Sequence, residues 1–187
     1  MLETAAGEVY RRGFQGTGLD RILAEARVTK GALYHYFDSK EALGYAILDE
    51  VVAEITQKKW LEPLAAGTNP IDTLMEIVSG TSLRQEHVEG GCPLNNLAQE
   101  MSPLDEGFRK RIARIFRDWQ NAVADALRDG QKRGQVRKEI DPAESATFFI
   151  ALYEGYISLA KNAQEPAVLR SGLRATVRHL ETLRAPR

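Results

Sequence analysis

The sequence predicts an all-α protein, and three observations support that fold class. Apolar residues recur at spacings of three and four along nearly the whole chain of 187 residues, which is the period of an amphipathic helix. The apolar runs are bounded by helix signals, such as Asp141-Pro142 before one run and Gly13 after another. No stretch shows the strict alternation of apolar and polar residues that indicates a strand. We therefore expect nine helices.

The first three predicted helices are short and follow one another closely. The first covers roughly residues 1–13. Thr17 is expected to cap the second helix, with Asp20 three residues later as its partner in a capping box. After a short turn at Arg27, Thr29 caps the third helix. Two capped helices separated by so few residues make a helix-turn-helix unit.

Six further helices are expected after this unit. The fourth begins at Ser39 and connects the helix-turn-helix to the rest of the chain, which changes character beyond Pro63. We divide the chain into a helix-turn-helix domain over residues 1–46 and a larger helical domain over residues 47–187. The five later helices are predicted near residues 69–86, 93–101, 108–127, 142–161 and 166–183.

Composition and motifs exclude several classes of protein. Hydrophobic residues make up 43% of the sequence and charged residues 27%, which fits a packed protein rather than a disordered one. We expect no membrane span, because no apolar run is long enough, and no signal peptide. The single cysteine, Cys92, cannot form an intramolecular disulfide and fits a reducing cytoplasm, where we expect the protein to be. The net charge of −1 does not by itself indicate a nucleic-acid binder.

Nothing in the sequence indicates an enzyme. The glycines of "GFQGTG" at residues 13–18 join two helices rather than a strand to a helix, so a nucleotide-binding interpretation fails. No Ser/His/Asp set or pair of carboxylates in helical register stands out. His87 and Cys92 are too few for a zinc site, which needs three or four ligands. We expect no catalytic residue, no metal and no cofactor.

The stretch "TKGALYHYF" at residues 29–37 is the most informative part of the chain. On a helix, Leu33 and Phe37 lie one turn apart and can both face a core. The alternative, that all the rings are core residues, is poor for Tyr34, His35 and Tyr36, since three consecutive helical residues cannot all point inward. Tyrosine and lysine side chains contact phosphates, and short residues permit close approach to a base. Such a surface fits the major groove of DNA.

Residues 13–43 resemble the DNA-binding signature of the TetR family of bacterial transcriptional regulators. They read "GFQGTGLDRILAEARVTKGALYHYFDSKEAL" and match it without a gap. The match covers the aromatic residue after the first glycine, the helix-turn-helix, the Leu-Tyr-His-Tyr-Phe run and the Ser-Lys-Glu that opens the fourth helix. Two positions depart from the family pattern. Ala32 stands where threonine is common, and Arg27 stands where the family usually has a turn glycine, so we expect Arg27 at positive φ.

The resemblance implies binding to double-stranded DNA at an inverted-repeat operator, and regulation of transcription by a repressor. It implies phosphate contacts from Thr17, Tyr34 and Lys40, while the other candidates face base edges or flanking phosphates. The candidate DNA-binding residues are Thr17, Thr29, Lys30, Gly31, Ala32, Tyr34, His35, Tyr36 and Lys40.

The resemblance also implies a homodimer and a ligand site. In this family the last two helices of each subunit pack across a two-fold axis, and residues 142–161 and 166–183 fit because each has an apolar face and small residues. The family further implies a cavity for a small effector, expected to be apolar or aromatic, that releases the repressor from its operator. Core packing is the alternative for each aromatic candidate. The candidate ligand-binding residues are Trp60, His87, Asn95, Asn96, Met101, Phe116, Trp119, Phe149 and Tyr153.

Two other functions stay open on the sequence alone. Cys92 lies near a predicted helix N-terminus, where a reactive thiol could sense oxidants or electrophiles, although a buried inert thiol is the alternative. A dimeric helical adaptor that does not bind DNA would be indifferent to the loss of Tyr34 or Lys40. The operator sequence, the regulated genes, the effector and the choice between repression and activation do not follow from the sequence.

Overall fold

The protein was analysed as a computed structural model, which describes residues 1–186. The all-α class is confirmed, and across those residues the one β-type pairing is an isolated bridge between Val136 and Arg184. The helices are α1 (Leu2–Arg12), α2 (Leu19–Ala26), α3 (Lys30–Tyr36), α4 (residues 40–66), α5 (Pro70–Ser79), α6 (Gln85–Gly90), α7 (Pro93–Met101), α8 (Glu106–Lys132), α9 (Pro142–Ala163) and α10 (Pro166–Thr182).

Four helices begin at side chains that accept hydrogen bonds from the first helical turn. Thr29 opens α3 and Ser39 opens α4, while Asn69 and Asp141 stand before the N-terminal prolines of α5 and α9. Each such cap is worth about 1 kcal/mol of helix stability. These four starting points were predicted correctly because a cap and the backbone N–H groups it serves are close in the sequence.

The predicted cap at Thr17 is wrong. Gly18 occupies the N-cap position of α2, and no side chain caps this helix. The Thr17 side chain is completely buried instead, and its hydroxyl donates to the carbonyl oxygen of Gly13 at 2.6 Å and lies 3.3 Å from that of Glu8. Thr17 therefore connects the end of α1 to the start of α2 through a buried side-chain hydrogen bond.

The helix predicted over residues 69–86 is also shorter in the structure. Helix α5 ends at Ser79, Gly80 follows as its C-cap, and α6 begins only at Gln85. The break falls on Gly80, Thr81 and Ser82, which are three successive residues of low helix propensity. The break also leaves the Thr81 side chain within 2.9 Å of the Tyr153 hydroxyl.

Helix α4 contains two π-helical segments. It runs as an α-helix over Lys40–Ala46, as a π-helix over Ile47–Val52, and again as a π-helix over Gln57–Leu61. The π-helix is rare and occurs mostly as single turns, frequently at functional sites. The second π-helical segment carries Lys59 and Trp60.

The described residues form two compact units. The first unit comprises Met1–Ile55 and Pro93–Ile115, and the second comprises Thr56–Cys92 and the described residues from Phe116 onward. The chain passes from one unit to the other three times: within α4, between Cys92 and Pro93, and within α8. The predicted domain boundary after residue 46 stays a prediction, because compact packing units need not be separate folding domains.

Phe108 lies at the centre of the first unit and is completely buried. Its ring meets the rings of Phe14 at 4.6 Å and Tyr45 at 5.1 Å, both edge to face. Gly44 permits this packing, since a Cβ atom at that position would lie 2.4 Å from the Phe108 ring. The loop after α1, helix α4 and helix α8 therefore share one core.

Four rings form the core of the second unit and are called the aromatic cluster below. They are Trp60, Trp119, Phe149 and Tyr153, each at most 3% exposed. The Trp60 ring lies 4.6 Å from Trp119, 5.6 Å from Phe149 and 5.0 Å from Tyr153. Aromatic side chains bury large apolar areas, so this cluster contributes strongly to the stability of the second unit.

Candidate nucleic-acid interface

Helix α3 has a single buried residue and an otherwise exposed surface. Leu33 is completely buried beneath the helix, whereas Tyr34 is 41% exposed and Tyr36 is 72% exposed. This pattern matches the prediction that Leu33 packs inward while its neighbours face a partner. Four further residues of the helix are exposed, namely Lys30, Gly31, Ala32 and His35.

The exposed side chains of α3 contact one another and leave the lysine charge available. The Lys30 ammonium lies 5.9 Å from the centre of the Tyr34 ring, and the rings of His35 and Tyr36 meet at 5.2 Å. Within residues 1–186, Lys30 forms no ion pair with a carboxylate. A cation with no acidic partner on an exposed helix can neutralise a phosphate without first breaking a salt bridge.

The turn between α2 and α3 contains a residue in the left-handed conformation, as predicted. Arg27 has φ 53° and ψ 42°, and its N–H donates to the carbonyl oxygen of Ala24 at 3.3 Å. The next N–H, of Val28, donates to the carbonyl oxygen of Leu23 at 3.1 Å. A non-glycine residue pays about 1 kcal/mol for this conformation. Arg27 thus ends α2 and sets the direction in which α3 begins.

The three predicted phosphate-contacting residues differ in how accessible they are. Tyr34 is exposed, and Lys40 is half-buried with its ammonium 4.6 Å from the centre of the Phe14 ring. The buried hydroxyl of Thr17 would have to give up its bond to Gly13 to contact a phosphate. Its role in DNA binding therefore stays a prediction of the sequence.

A buried carboxylate holds α1 against α2. Glu8 is 2% exposed, and its carboxylate accepts hydrogen bonds from Arg11 and from Arg21 Nε, the latter at 2.6 Å. Arg12 Nε lies 3.5 Å from the same carboxylate. The hydrogen bonds from Arg11 and Arg21 lower the pKa of Glu8 to about 2. The ion pair with Arg21 fixes the start of α2, the helix that precedes α3.

Replacing Glu8 with glutamine should weaken the fold and change its response to acid. The pKa of Glu8 is lower in the folded protein, about 2 against 4.5. The stability it contributes is therefore complete above pH 4.5 and is lost as the pH falls towards 2. We expect Glu8→Gln to melt at a lower temperature at pH 7 and to lose less stability than the wild type between those pH values. Thermal melts followed by circular dichroism measure both effects.

Glu25→Gln serves as the control for this comparison, because Glu25 is an exposed carboxylate on α2. Equal losses of melting temperature on acidification in the wild type and Glu8→Gln would show that the buried carboxylate is not responsible.

A carboxylate from α7 holds the loop that follows α1. Glu100 accepts hydrogen bonds from two consecutive backbone N–H groups, those of Phe14 and Gln15, each at 2.8 Å. Two convergent charge-assisted bonds define the path of this loop. The residues that lead into α2 are thereby attached to a helix far along the sequence.

The carboxylate of Asp105 joins α4 to the start of α8. The Tyr45 hydroxyl donates to Asp105 Oδ1 at 2.9 Å, and Asp105 also accepts from the backbone N–H of Phe108 at 2.8 Å. The N–H of Phe108 lowers the pKa of Asp105, and the bond to Asp105 raises the pKa of Tyr45. The hydrogen bond thus favours the neutral hydroxyl of Tyr45 and the ionised carboxylate of Asp105.

The predicted ligand-binding residues are divided between the two units. Phe116 stacks on Trp119 at 6.4 Å, next to the rest of the aromatic cluster in the second unit. His87 is in the same unit on α6, where it is exposed. Three candidates lie on α7 in the first unit, with Met101 buried and the two amides half-buried: Asn95, Asn96 and Met101. Their binding of a ligand stays a prediction.

Three acidic residues that are buried or half-buried were missed by reasoning from the sequence, namely Glu8 and Glu100, described above, and Glu154, which is 6% exposed on α9. For two of them the signal was present, because Glu8 falls between the core residues Ala5 and Val9, and Glu154 is adjacent to Tyr153 on a helix with a buried face. An acidic residue at a core position usually needs a partner. Nothing local marks Glu100, whose partners are more distant in sequence.

Residues 1–186 lack two features that would point to other functions. In that part of the chain, no group of three or more His, Cys, Asp or Glu side chains is placed to hold a metal ion. None of the helices described above is both long and apolar enough to cross a membrane.

Comparisons with known proteins identify the family. Residues 1–47 match the model of "Bacterial regulatory proteins, tetR family", and residues 67–176 match "Tetracyclin repressor-like, C-terminal domain". An uncharacterized HTH-type transcriptional regulator of Lactococcus lactis subsp. lactis is 36% identical over 87% of this chain and 82% of its own length. The transcriptional regulator AcuR of Cereibacter sphaeroides is 31% identical over 97% of this chain and 84% of its own.

A solved structure agrees with these relatives. The reduced form of E. coli NemR superimposes with a TM-score of 0.82 at 28% identity, covering 98% of this chain and 94% of NemR. Regulators of this family bind DNA operators and typically act as dimers with small-molecule effectors. The exposed helix-turn-helix and the two family matches lead to one conclusion: this chain belongs to the TetR family and is a DNA-binding transcriptional regulator.

Proposed function

We propose that the protein binds an inverted-repeat operator as a homodimer, represses transcription there, and leaves the operator when a small apolar or aromatic effector binds. The exposed surface of α3 carries this proposal. Tyr34, His35 and Tyr36 stand together on a helix whose single buried residue is Leu33. Exposed rings of this size form a surface that a partner can cover.

The residues of this surface suit different parts of a DNA duplex. Tyr34 and Lys40 are proposed to contact phosphates, and Ala32 to approach a thymine methyl group. The segment from residue 27 to residue 40 has three cations and one acid, which gives this face a positive charge that the whole chain lacks. The proposed surface consists of Thr29, Lys30, Gly31, Ala32, Tyr34, His35, Tyr36 and Lys40.

The proposed dimer surface lies on α9 and α10. Phe148 and Leu159 are 52% and 58% exposed on α9, and Ala151 and Gly155 are exposed between them. A Cβ atom at Gly155 would meet no other atom within 4 Å, so a second helix can approach closely there. Not every small residue supports this surface. Gly172 is buried against Tyr156 of the same chain.

The proposed effector site lies beside the aromatic cluster of the second unit. Its four buried rings favour an effector with an apolar or aromatic body. The effector acts by binding more tightly to the conformation that cannot hold the operator, and it shifts the equilibrium by no more than that difference in affinity.

Selection from random DNA duplexes at ~150 mM salt tests the operator and the dimer together. We expect the wild type to enrich an inverted repeat whose half-sites are centred about one helical turn apart. Leu159→Glu places a charge in the proposed dimer surface, so it should sediment as a monomer and enrich no inverted repeat. Leu104→Glu alters a side chain that is 61% exposed in the first unit, and it should behave as the wild type.

Two results would contradict the proposal. Enrichment of single half-sites by the wild type would argue against binding to DNA as a dimer. A dimeric Leu159→Glu variant that still enriches the repeat would move the dimer surface away from α9.

A further inference from the structure

Lys59 occupies an unusual position in the second unit. It lies in the π-helical segment Gln57–Leu61 of α4, and its ammonium is 5.3 Å from the centre of the Trp60 ring and 5.2 Å from that of Tyr153. Lysine is rarely buried unless paired. Lys59 is nevertheless half-buried, and within residues 1–186 it has no carboxylate within ion-pair distance.

The Lys59 ammonium is held in place by a chain of hydrogen bonds. Its Nζ donates to the hydroxyl of Tyr153 at 2.7 Å, and Tyr153 is 1% exposed. The Tyr153 hydroxyl lies 2.9 Å from Thr81 Oγ1, which in turn lies 3.4 Å from the carbonyl oxygen of Ile77. Because the ammonium can only donate, the tyrosine proton points to Thr81 and the threonine proton to Ile77. One of the three ammonium protons forms the hydrogen bond to Tyr153, and the other two can donate to another acceptor.

A buried donor without a partner lies in the same aromatic cluster. Trp119 is 2% exposed, and its Nε1–H has no hydrogen-bond acceptor within the described part of the chain. Its ring is 4.6 Å from Trp60 and 6.3 Å from Tyr153, the two rings that also contact Lys59. Buried donors are normally satisfied, so an unpartnered donor that shares two ring neighbours with the Lys59 ammonium indicates an acceptor that the protein itself does not supply.

Glu154 does not supply that acceptor. It is 6% exposed on α9, and its carboxylate oxygens accept no hydrogen bond from Lys59 or Trp119. Burial raises its pKa to about 7, against the opposing effects of the Cys92 thiol and the Lys59 charge. Burial therefore favours the neutral carboxyl form more than at an exposed glutamate, and the neutral form does not repel an anion.

We propose that the effector carries a carboxylate on an aromatic body, and that Lys59 and the indole N–H of Trp119 bind this carboxylate while the aromatic cluster receives the ring. The inference rests on the proposed function, because it names the chemical class of the effector bound in the second unit. Two donors and a positive charge select an anionic acceptor, and the surrounding rings select a planar apolar body.

Three probes of matched size test the class of effector: phenylacetate, phenylacetamide and phenethylamine. They present an anion, a neutral amide and a cation on the same ring. We expect phenylacetate to bind the wild type in titration calorimetry, and to release operator DNA, at a concentration at least about tenfold lower than the other two. Lys59→Met should remove this preference, Lys59→Arg should retain most of it, and Lys138→Met should leave it unchanged because Lys138 is an exposed lysine of the same unit.

Each contrary result has a distinct meaning. Operator release by the amide or the amine at the same concentration as phenylacetate would overturn the carboxylate class while effector release itself stands. Undiminished phenylacetate binding by Lys59→Met, or no binding of phenylacetate by a wild type that still holds its operator, would overturn the assigned site. Binding of phenylacetate without operator release would leave the site standing and count against release by an effector.

Discussion

Replacing both Tyr34 and Tyr36 with alanine is expected to weaken operator binding by roughly a thousandfold while leaving the melting temperature almost unchanged. The two rings are 41% and 72% exposed, so the fold gains little from them. In a dimer the double substitution removes four DNA contacts. At about 1 kcal/mol for each contact, the total loss is about 4 kcal/mol. Fluorescence anisotropy with the selected operator measures the affinity.

The matched control for this double variant is Leu104→Ala, which removes another exposed apolar side chain from the same unit. It should bind the operator as the wild type does. A double tyrosine variant that melts normally and keeps its operator affinity would mean that another surface reads the DNA. Salt titrations separate the contributions further, because loss of a phosphate contact from Lys40→Ala makes the salt dependence shallower, by about one unit of slope per lost contact.

Replacing Glu100 with alanine is expected to destabilise the first unit and to weaken DNA binding, although Glu100 itself does not belong to the proposed DNA surface. The change leaves the N–H groups of Phe14 and Gln15 without their acceptor. Hydrogen bonds to a charged group are worth about 1.5 kcal/mol or more each, and partial exposure of this pair reduces the total to about 2 kcal/mol. For a chain of this length, the melting temperature should fall by about 4–8 °C.

The backbone amide signals of Phe14 and Gln15 in NMR spectra report the loss directly. Both should shift strongly in Glu100→Ala and little in Gln99→Ala, which alters the exposed neighbour on the same helix. Wild-type melting and unshifted amide signals in Glu100→Ala would show that the carboxylate does not hold the loop. Normal operator affinity despite shifted signals would separate the loop from DNA recognition.

Local sequence signals predicted most helix boundaries correctly and failed at the start of α2 and at the end of α5. Asn69 and Asp141 serve backbone N–H groups two and three residues away, so each cap can be recognised from its own neighbourhood. Thr17 is also of a residue type that caps helices, but its hydroxyl donates to the Gly13 carbonyl oxygen, at the end of α1, and does not cap α2. The helix predicted to reach residue 86 ends early because three consecutive poor helix formers follow Ser79.

The exposed face of α3 could be predicted because its residues are adjacent in sequence, whereas the residues that hold the helices and loop before it could not. Leu33 is assigned to the core by helical spacing alone, whereas positive φ at Arg27 is expected because the family usually has a turn glycine at that position. The partners of Glu100 are 85 and 86 residues away, and Lys59 and Tyr153 are 94 residues apart. No local pattern of charge or hydrophobicity encodes such pairs.

Residues 93–115 pack in the first unit with the N-terminal helices. This packing restricts how the N-terminal and C-terminal parts of two such regulators can be combined in one chain. A chimaera that joins residues 1–47 to the C-terminal half of a relative would set a foreign side chain against Phe14 and Tyr45. The same foreign side chain would have to fit against Gly44, where the packing with Phe108 leaves no space for even a methyl group. A chimaera that combines a new operator with a new effector therefore has to take α7 and the first turns of α8 from the same parent as the helix-turn-helix. Those segments form one packing unit although they are separated in the sequence.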